Sequence, residues 1–432
     1  MVVEELIDAL GNEIVMTSEG SISNYAFDWT GQWYAQPLAV VEPNDSEGVA
    51  TALRICSAHV INVVTQGGNS GLVGGSVGNN HPHIILSTKK LRTEPVFDLA
   101  THQLTLGAGF TLKEVQDIAS SHGLQYPVDT ASRALATIGG TVATNAGGVR
   151  VIAFGMTGEQ VVGVKLVLSD GTIIDRLHRL AKENTGFDIT SLAIASEGTL
   201  GVITDVCLQL QAPRVAQWTA MIPCVDIRDA LSIALPIQGQ LLAAEIFQTR
   251  AANTVAANEG MKLLPDHTDW WLILEGDGEK PELRDGIIWA MNSGEAAKYW
   301  NYRELQSTML NRMSNVVKID TSVRPTQLPS FIDEITQALN TGENLYVFGH
   351  LLDGNLHIAV TNVEDKSHVS DIVIKSAVNH NGSISAEHGI GQAKNQYLQL
   401  VRSPRELELM QAVRKSFDAA GIMNQHVLKP TE

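Results

Sequence analysis

Short apolar runs separated by glycine, proline and acidic residues dominate the first half of this chain. Ile61-Asn62-Val63-Val64-Thr65 and residues 84–87 are too short for buried helices and rich in branched apolar side chains, so they predict strands. Residues 37–41 and 104–109 read the same way. Between these runs the period changes to that of a helix. One helix is predicted from a cap near Asp45 or Ser46 to about His59. A second is predicted over 111–122, where Leu112, Val115, Ile118 and Ala119 recur at helical spacing and Gly123 stops the run. Residues 161–175, broken by Ser169-Asp170-Gly171, predict a hairpin, because Asp-Gly supplies the positive φ that a tight turn requires. The mixture predicts an α+β fold rather than one doubly wound sheet.

After Gln211-Ala212-Pro213 the glycine punctuation thins, and strands such as Trp270-Trp271-Leu272-Ile273-Leu274-Glu275 alternate with longer helical stretches. A domain boundary is therefore expected near Pro213. The expected organisation is a first domain over 1–212, a second over 213–385 and a final segment over 386–432.

Glycine is concentrated in three places. Gln66-Gly67-Gly68-Asn69-Ser70-Gly71-Leu72-Val73-Gly74-Gly75-Ser76 has five glycines in eleven positions and directly follows a predicted strand. Such a backbone turns tightly and can present successive N–H groups as a nest for a phosphate; a plain surface turn is the alternative. Residues 138–148 and the run Ser196-Glu197-Gly198-Thr199-Leu200-Gly201 repeat this small-residue chemistry, so all three can converge on one elongated anionic ligand. None is G-x-G-x-x-G between a strand and a helix, which disfavours a Rossmann dinucleotide site and a nicotinamide cofactor.

Composition narrows the partners. With 30 basic and 47 acidic residues the net charge is −17, which argues against nucleic acid or an anionic membrane surface. An anionic substrate must then find a local positive site. The N-terminal run carries Glu4 and Glu5 where a signal peptide needs basic residues, and no apolar run reaches membrane-spanning length. A cytoplasmic location is expected, or the mitochondrial matrix in a eukaryote. Cys56, Cys207 and Cys224 are scattered and lack C-x-x-C spacing, so buried free thiols are expected.

In the second half, His350 and His357 lie seven residues apart, and Ala386-Glu387-His388 adds a carboxylate and another imidazole. Two histidines and one carboxylate suit a divalent ion with open coordination positions; two packed core histidines are the other reading of the same spacing.

The three glycine segments, in this order, resemble the flavin-binding domain of the vanillyl-alcohol oxidase and para-cresol methylhydroxylase (PCMH) type of flavoprotein. More narrowly, they resemble the D-2-hydroxyglutarate, D-lactate and glycolate dehydrogenase branch, which carries an FAD-linked oxidase C-terminal domain. The resemblance runs from Pro37-Leu38-Ala39-Val40-Val41-Glu42-Pro43 to Gly421-Ile422-Met423-Asn424. It implies a PCMH-type FAD domain of two subdomains, an antiparallel-sheet substrate cap, and a last segment that returns to the FAD domain.

The resemblance also implies site residues. Gln66, Gly67, Gly68, Asn69, Ser70, Gly71, Leu72, Gly75 and Ser76 match the first FAD loop, with the pyrophosphate on the glycines. Pro127, Asp129, Gly139, Gly140, Thr144, Asn145, Gly148, Glu197, Gly198, Ile203 and Asn424 would line the rest of the cofactor. Some relatives attach flavin through a histidine in the first loop, but Asn69 stands there, so non-covalent FAD is expected. His350, His357 and Glu387 match the ligands of a divalent metal, zinc first, with manganese or cobalt as alternatives. His388 matches the residue that accepts the substrate hydroxyl proton, a task suited to a neutral imidazole. Arg303, Lys318 and, one helical turn after Arg303, Ser307 match the substrate carboxylate site. Arg303 and Lys318 could otherwise be surface charges or pair with Glu304 and Asp320.

The chain also departs from the branch: residues 127–135 carry less glycine and serine than relatives, and Thr141 stands where asparagine is common. Leu352 replaces a glycine in the His350 loop, Ala359 stands where 2-hydroxyglutarate-type members carry asparagine, and Arg324 is an additional cation. The expected activity is oxidation of a D-2-hydroxy acid to its 2-oxo acid, D-2-hydroxyglutarate ahead of D-lactate. The expected electron acceptor is an electron-transfer flavoprotein or a quinone-linked partner, and a homodimer is left open. A flavin subunit of a glycolate oxidase-like complex and a metal-free flavin oxidase are the competing readings.

Overall fold

The computed structural model describes residues 1–178, 180 and 182–429. The chain forms two compact units. One comprises Met1–Gly147, Gly155–Pro213 and His388–Glu432, the other Gly148–Phe154 and Arg214–Glu387.

The first unit holds two sheets. Strands β1 (Val15–Met16), β2 (Ala39–Val41), β3 (Asn62–Gln66) and β4 (His83–Ser87) run in the order β1-β2-β4-β3. β4 is parallel to both β2 and β3, whereas β1 is antiparallel to β2. Strands β5 (Val96–Asp98), β6 (Gln103–Gly107), β7 (Val161–Val167), β8 (Ile173–Asp175) and β9 (Val202–Gln209) form an antiparallel sheet in the order β5-β6-β9-β7-β8.

Local chemistry sets the helices that cover these sheets. Asp45 caps the helix Ser46–Ala58 by accepting from the Gly48 N–H at 2.8 Å. Its apolar face buries Val49, Leu53 and Cys56 against Val41, Val63, Ile84 and Leu86. Helix Leu112–Ser121 starts with a reciprocal capping box between Thr111 and Glu114 and places Leu112, Val115 and Ala119 in a second core with Leu106, Val164 and Val206. The 161–175 hairpin closes through Gly171, whose φ is +81° and whose N–H donates to the Leu168 carbonyl at 2.9 Å. The chain end also joins this unit. Val63 N donates to Ile422 O at 2.8 Å, Asn424 N donates to Val63 O at 2.9 Å, and Ile422 and Met423 are buried in the first core.

The second unit is built on one antiparallel sheet of seven strands. β10 (Trp218–Cys224), β11 (Leu241–Gln248), β12 (Trp270–Gly276), β13 (Ile288–Ala290), β14 (Val317–Ser322), β15 (Asn344–His350) and β16 (Asn355–Thr361) run in the order β13-β10-β12-β11-β15-β16-β14. Helices Thr249–Glu259 and Ser293–Asn311 supply Val255, Trp300, Tyr302 and Met309 to a core shared with Phe247, Trp271, Phe348 and Ala359. Segment Gly148–Phe154 belongs to this unit although it begins with the last residue of the second glycine cluster, and Val149 packs against the same core. Among the described residues no helix is long and apolar enough to cross a membrane.

Candidate flavin and metal sites

Within the first unit the three glycine segments meet. Gly67 and Gly68 lie against Thr137, Leu135 and Ala136: a Cβ on Gly67 would strike the Thr137 hydroxyl, and one on Gly68 the Leu135 carbonyl. These glycines allow the first segment to touch the residues that lead into the second. Gly139, inside helix Ile138–Thr144, would strike the Ala108 Cβ in the same way. The Thr137 hydroxyl caps this helix from the Gly140 N–H, and the Thr144 hydroxyl donates back to the Gly140 carbonyl at 3.0 Å. Asn145 follows in the left-handed region at φ +48°, and its Oδ1 accepts from the Gly158 N–H at 2.7 Å.

The first loop is tied down by side chains from distant segments. Gln66 Nε2 donates to the Ser76 carbonyl at 2.8 Å, and the Ser76 hydroxyl donates to Asn69 Oδ1 at 2.7 Å. Asn69, at φ +54°, donates to the Phe27 carbonyl. Ser70 is partly buried, while Gly71 and Leu72 are exposed. Gln392 donates to the carbonyls of Gly74 and Val77, both at 2.9 Å. Asn424 donates to Gly75 O at 3.0 Å and Glu197 O at 2.7 Å, which joins the first loop, the third segment and the chain end.

Glu197 accepts from the N–H groups of Ile390 and Gly391, each at 2.8 Å, and burial nonetheless pushes its carboxyl above the ordinary range. Gly198 follows at φ +71°. Beside it, the buried Thr65 Oγ1 and Asn424 Oδ1 have no hydrogen-bond partner among the described residues. Polar atoms in that condition fit a region that receives a polar ligand such as FAD. Other expected positions are occupied differently. Pro127 is buried, Asp129 pairs with Arg133, the Ile203 side chain lies in the second core, and Gly148 belongs to the other unit.

In the second unit, strand register explains how His350 and His357 meet. β15 and β16 form a hairpin in which Phe348 opposes His357 and His350 opposes Asn355, so the two imidazoles are diagonal neighbours on one face. Their rings lie 5.5 Å apart. Glu387 joins them with Oε1 3.3 Å from His350 Nε2. One potential ligand atom from each of His350, His357 and Glu387 lies within 4.8 Å of the others. Asp320 on β14, opposite His357, fixes the 386–387 backbone: its Oδ2 accepts from the N–H groups of Ala386 and Glu387, each at 2.9 Å.

Burial and mutual contact set the charge states of the three groups. Burial pulls the His357 imidazole down to about 3, with Arg303 adding to the effect, so this ring is neutral. Burial raises the Glu387 carboxyl, but the charge on His350 outweighs it and holds it at about 2. Burial also opposes charge on His350, yet Glu245 and Glu387 hold its pKa well above the ordinary value. Two imidazoles and an ionised carboxylate are a donor set for a divalent ion with vacant positions.

Arg303 pairs with Glu245 rather than with Glu304 or Asp320, its neighbours along the sequence or in motif. Glu245 on β11 is fully buried and accepts from Arg303 Nε at 2.6 Å and from His350 Nδ1 at 2.5 Å. The guanidinium also lies over the Phe348 ring at 4.8 Å. Lys318 contacts Asn311, Ser307 is exposed, Ala359 packs in the core and Arg324 is exposed. His388 is partly buried and begins the chain's return to the first unit.

Residues 37–176 match the FAD binding domain, and residues 214–427 match FAD linked oxidases, C-terminal domain. The D-2-hydroxyglutarate dehydrogenase of Xanthomonas citri pv. viticola is 33% identical across 94% of this chain and 92% of its own length. That of Stutzerimonas stutzeri is 31% identical across 95% of each chain. The chain belongs to the D-2-hydroxyglutarate dehydrogenase family of FAD-linked oxidases. It is therefore a flavoprotein oxidoreductase. The solved structure of p-cresol methylhydroxylase with substrate bound superposes with a TM-score of 0.74 over 99% of this chain and 96% of that one, at 14% identity, which shows the expected PCMH-type fold.

Glu245 is a residue of the second unit that the motif reading of this sequence missed. The available signal was a lone carboxylate within Leu241-Leu242-Ala243-Ala244-Glu245-Ile246-Phe247, because a charge in a buried strand needs partners. Gln392 gave no signal beyond lying near a glycine.

Proposed function

We propose that this chain is an FAD-dependent, metal-assisted dehydrogenase that oxidises D-2-hydroxyglutarate to 2-oxoglutarate, with D-lactate or a similar D-2-hydroxy acid as the next substrate class. The observation that carries the proposal is the grouping of His350, His357 and Glu387 beside the buried Glu245–Arg303 pair in a chain of this family. The first-loop residues and Asn424 would hold FAD non-covalently, and His350, His357 and Glu387 would hold a divalent ion; when bound, these groups would supply a hydride acceptor and a Lewis acid for the substrate hydroxyl.

The residues divide the remaining work. Arg303 and Lys318, with Ser307, hold the substrate's carboxylates, since a guanidinium binds a carboxylate in two-point fashion and an ammonium adds a point charge. His388 takes the hydroxyl proton, which would let the α-hydrogen pass as hydride to the acceptor that FAD would supply. An electron-transfer flavoprotein or quinone-linked partner reoxidises the flavin.

Anaerobic titration of the purified, zinc-loaded flavoprotein with D- and L-2-hydroxy acids tests this reading. Bleaching by D-2-hydroxyglutarate that a chelator prevents is the expected result. His388→Ala should keep the flavin and lose most turnover. A flavin that no acid bleaches would overturn the reading in favour of a subunit that works only within an electron-transfer complex. Chelator-insensitive bleaching with peroxide release would instead identify a metal-free oxidase.

A further inference from the structure

Glu245 is a two-sided group. Its side chain is completely buried on β11, 105 residues before His350 in sequence, and strand pairing sets the two residues directly opposite one another. Oε1 accepts from His350 Nδ1 at 2.5 Å, and Oε2 accepts from Arg303 Nε at 2.6 Å. A buried carboxylate is costly unless both oxygens are satisfied, and here each is satisfied by a different functional group.

Each contact fixes a direction as well as a charge. Donation from Nδ1 of His350 places that nitrogen's hydrogen on the Glu245 side, so the opposite nitrogen, Nε2, is the one offered toward Glu387, 3.3 Å away. Use of Nε by Arg303 commits the inner edge of the guanidinium and leaves its terminal nitrogens for another anion. The Phe348 ring, 4.8 Å from the guanidinium and 5.1 Å from the His357 ring, fills the space between the two sites. His350 and Arg303 are thus anchored to the two oxygens of one carboxylate.

We infer that Glu245 is a positioning residue that couples the metal site to the substrate-carboxylate site, orienting His350 for the ion and Arg303 for the substrate. The inference rests on the dehydrogenase reading above and adds that the two sites share one orienting group. Glutamine at this position keeps the shape but cannot accept from both partners, because one carboxylate oxygen becomes an N–H donor.

The test uses full-length, flavin-loaded protein. Zinc affinity is measured by competition with a chromophoric chelator, and KM and kcat for D-2-hydroxyglutarate are measured at saturating zinc. Glu245→Gln is expected to weaken zinc binding by about 10- to 100-fold, the range typical of lost orienting partners, and to raise KM by about tenfold or more at unchanged flavin content. Glu245→Asp should recover part of each. Zinc affinity and KM both within twofold of wild type would overturn the inference, and so would loss at one site alone. Should the Gln variant fail to retain flavin, imidazole nitrogen NMR of the wild type decides: His350, assigned by comparison with His350→Gln, must carry its proton on Nδ1 when zinc is bound, and an Nε2-protonated tautomer overturns the inference. A wild-type protein that binds zinc but is not reduced by the acid sinks the dehydrogenase reading while leaving this tautomer test intact.

Discussion

Leu135 turns its carbonyl oxygen onto Gly68, in space that any side chain at position 68 would have to enter. The obstacle is backbone, and the neighbouring Ala136 and Leu135 carbons close off other directions, so relaxation requires the second segment to move away. Gly68→Ala is expected to cost about 3 kcal/mol, the upper end for overpacking, and to lower the flavin content of the purified protein. Gly71, which has open space around it, is the matched control: Gly71→Ala should melt within a degree or two of wild type. Equal melting of the two variants would show that the contact is not tight.

The helix Leu112–Ser121 makes a prediction about pH. The Arg92 guanidinium, at 2.7 Å, holds the Glu114 carboxyl down to about 2 against the opposing effect of partial burial, and Thr111 donates to it as well. A carboxylate depressed on folding adds stability above its unfolded pKa, near 4.5, and that stability is lost as pH falls from there toward 2. Solvent screening of this half-exposed pair limits the gain to about 1 kcal/mol. Urea midpoints of wild type and Glu114→Gln should therefore differ near neutrality and converge on acidification. A difference independent of pH would assign the effect to the cap geometry alone.

The thiols should be inert in the native state. Cys56, Cys207 and Cys224 are all buried and free, and burial raises each thiol, Cys56 and Cys224 to about 12. Thiolate is the reactive form, so a native sample should show almost no reaction with an aromatic disulfide reagent at neutral pH, while denaturant should release three equivalents. Fast reaction of any one cysteine before denaturation would contradict its burial.

Elements governed by neighbours in sequence were readable from the sequence. The 111–122 helix announced itself through its apolar period and Gly123, and it appears as Leu112–Ser121. His350 and His357 were readable as partners because a short turn joins β15 to β16 and sets their register. Glu245 was not, because its meeting with His350 depends on β11 lying beside β15, a long-range pairing that no local signal encodes. The glycines at 67 and 68 were read as a phosphate nest; their missing side chains also admit residues 135–137 of the same unit, a close approach that composition does not announce. Gly148 shows the same limit: nothing in its glycine-rich surroundings distinguishes it from Gly139, yet it belongs to the second unit.

Asp320 gives the sharpest test of how the Glu387 backbone is held. One of its oxygens accepts from two successive backbone N–H groups at 386 and 387, and the other accepts from Asn355 Nδ2 at 2.7 Å. Asn355 opposes His350 across the hairpin, so this buried carboxylate ties the turn that carries Glu387 to the strands that carry both histidines. Asp320→Ala would leave the two backbone donors unpaired and the Asn355 amide with only the Thr321 carbonyl, at a cost of about 2 to 4 kcal/mol. It should also free Glu387 from its place beside His350, so zinc content after dialysis should fall together with the melting temperature. Asp320→Asn retains the volume and an acceptor oxygen but not the charge that two N–H donors favour, and should fall between the two. A loss of stability with full zinc retention would mean that Glu387 is positioned by something other than Asp320, and an unchanged melting temperature would mean that water replaces the carboxylate at the turn.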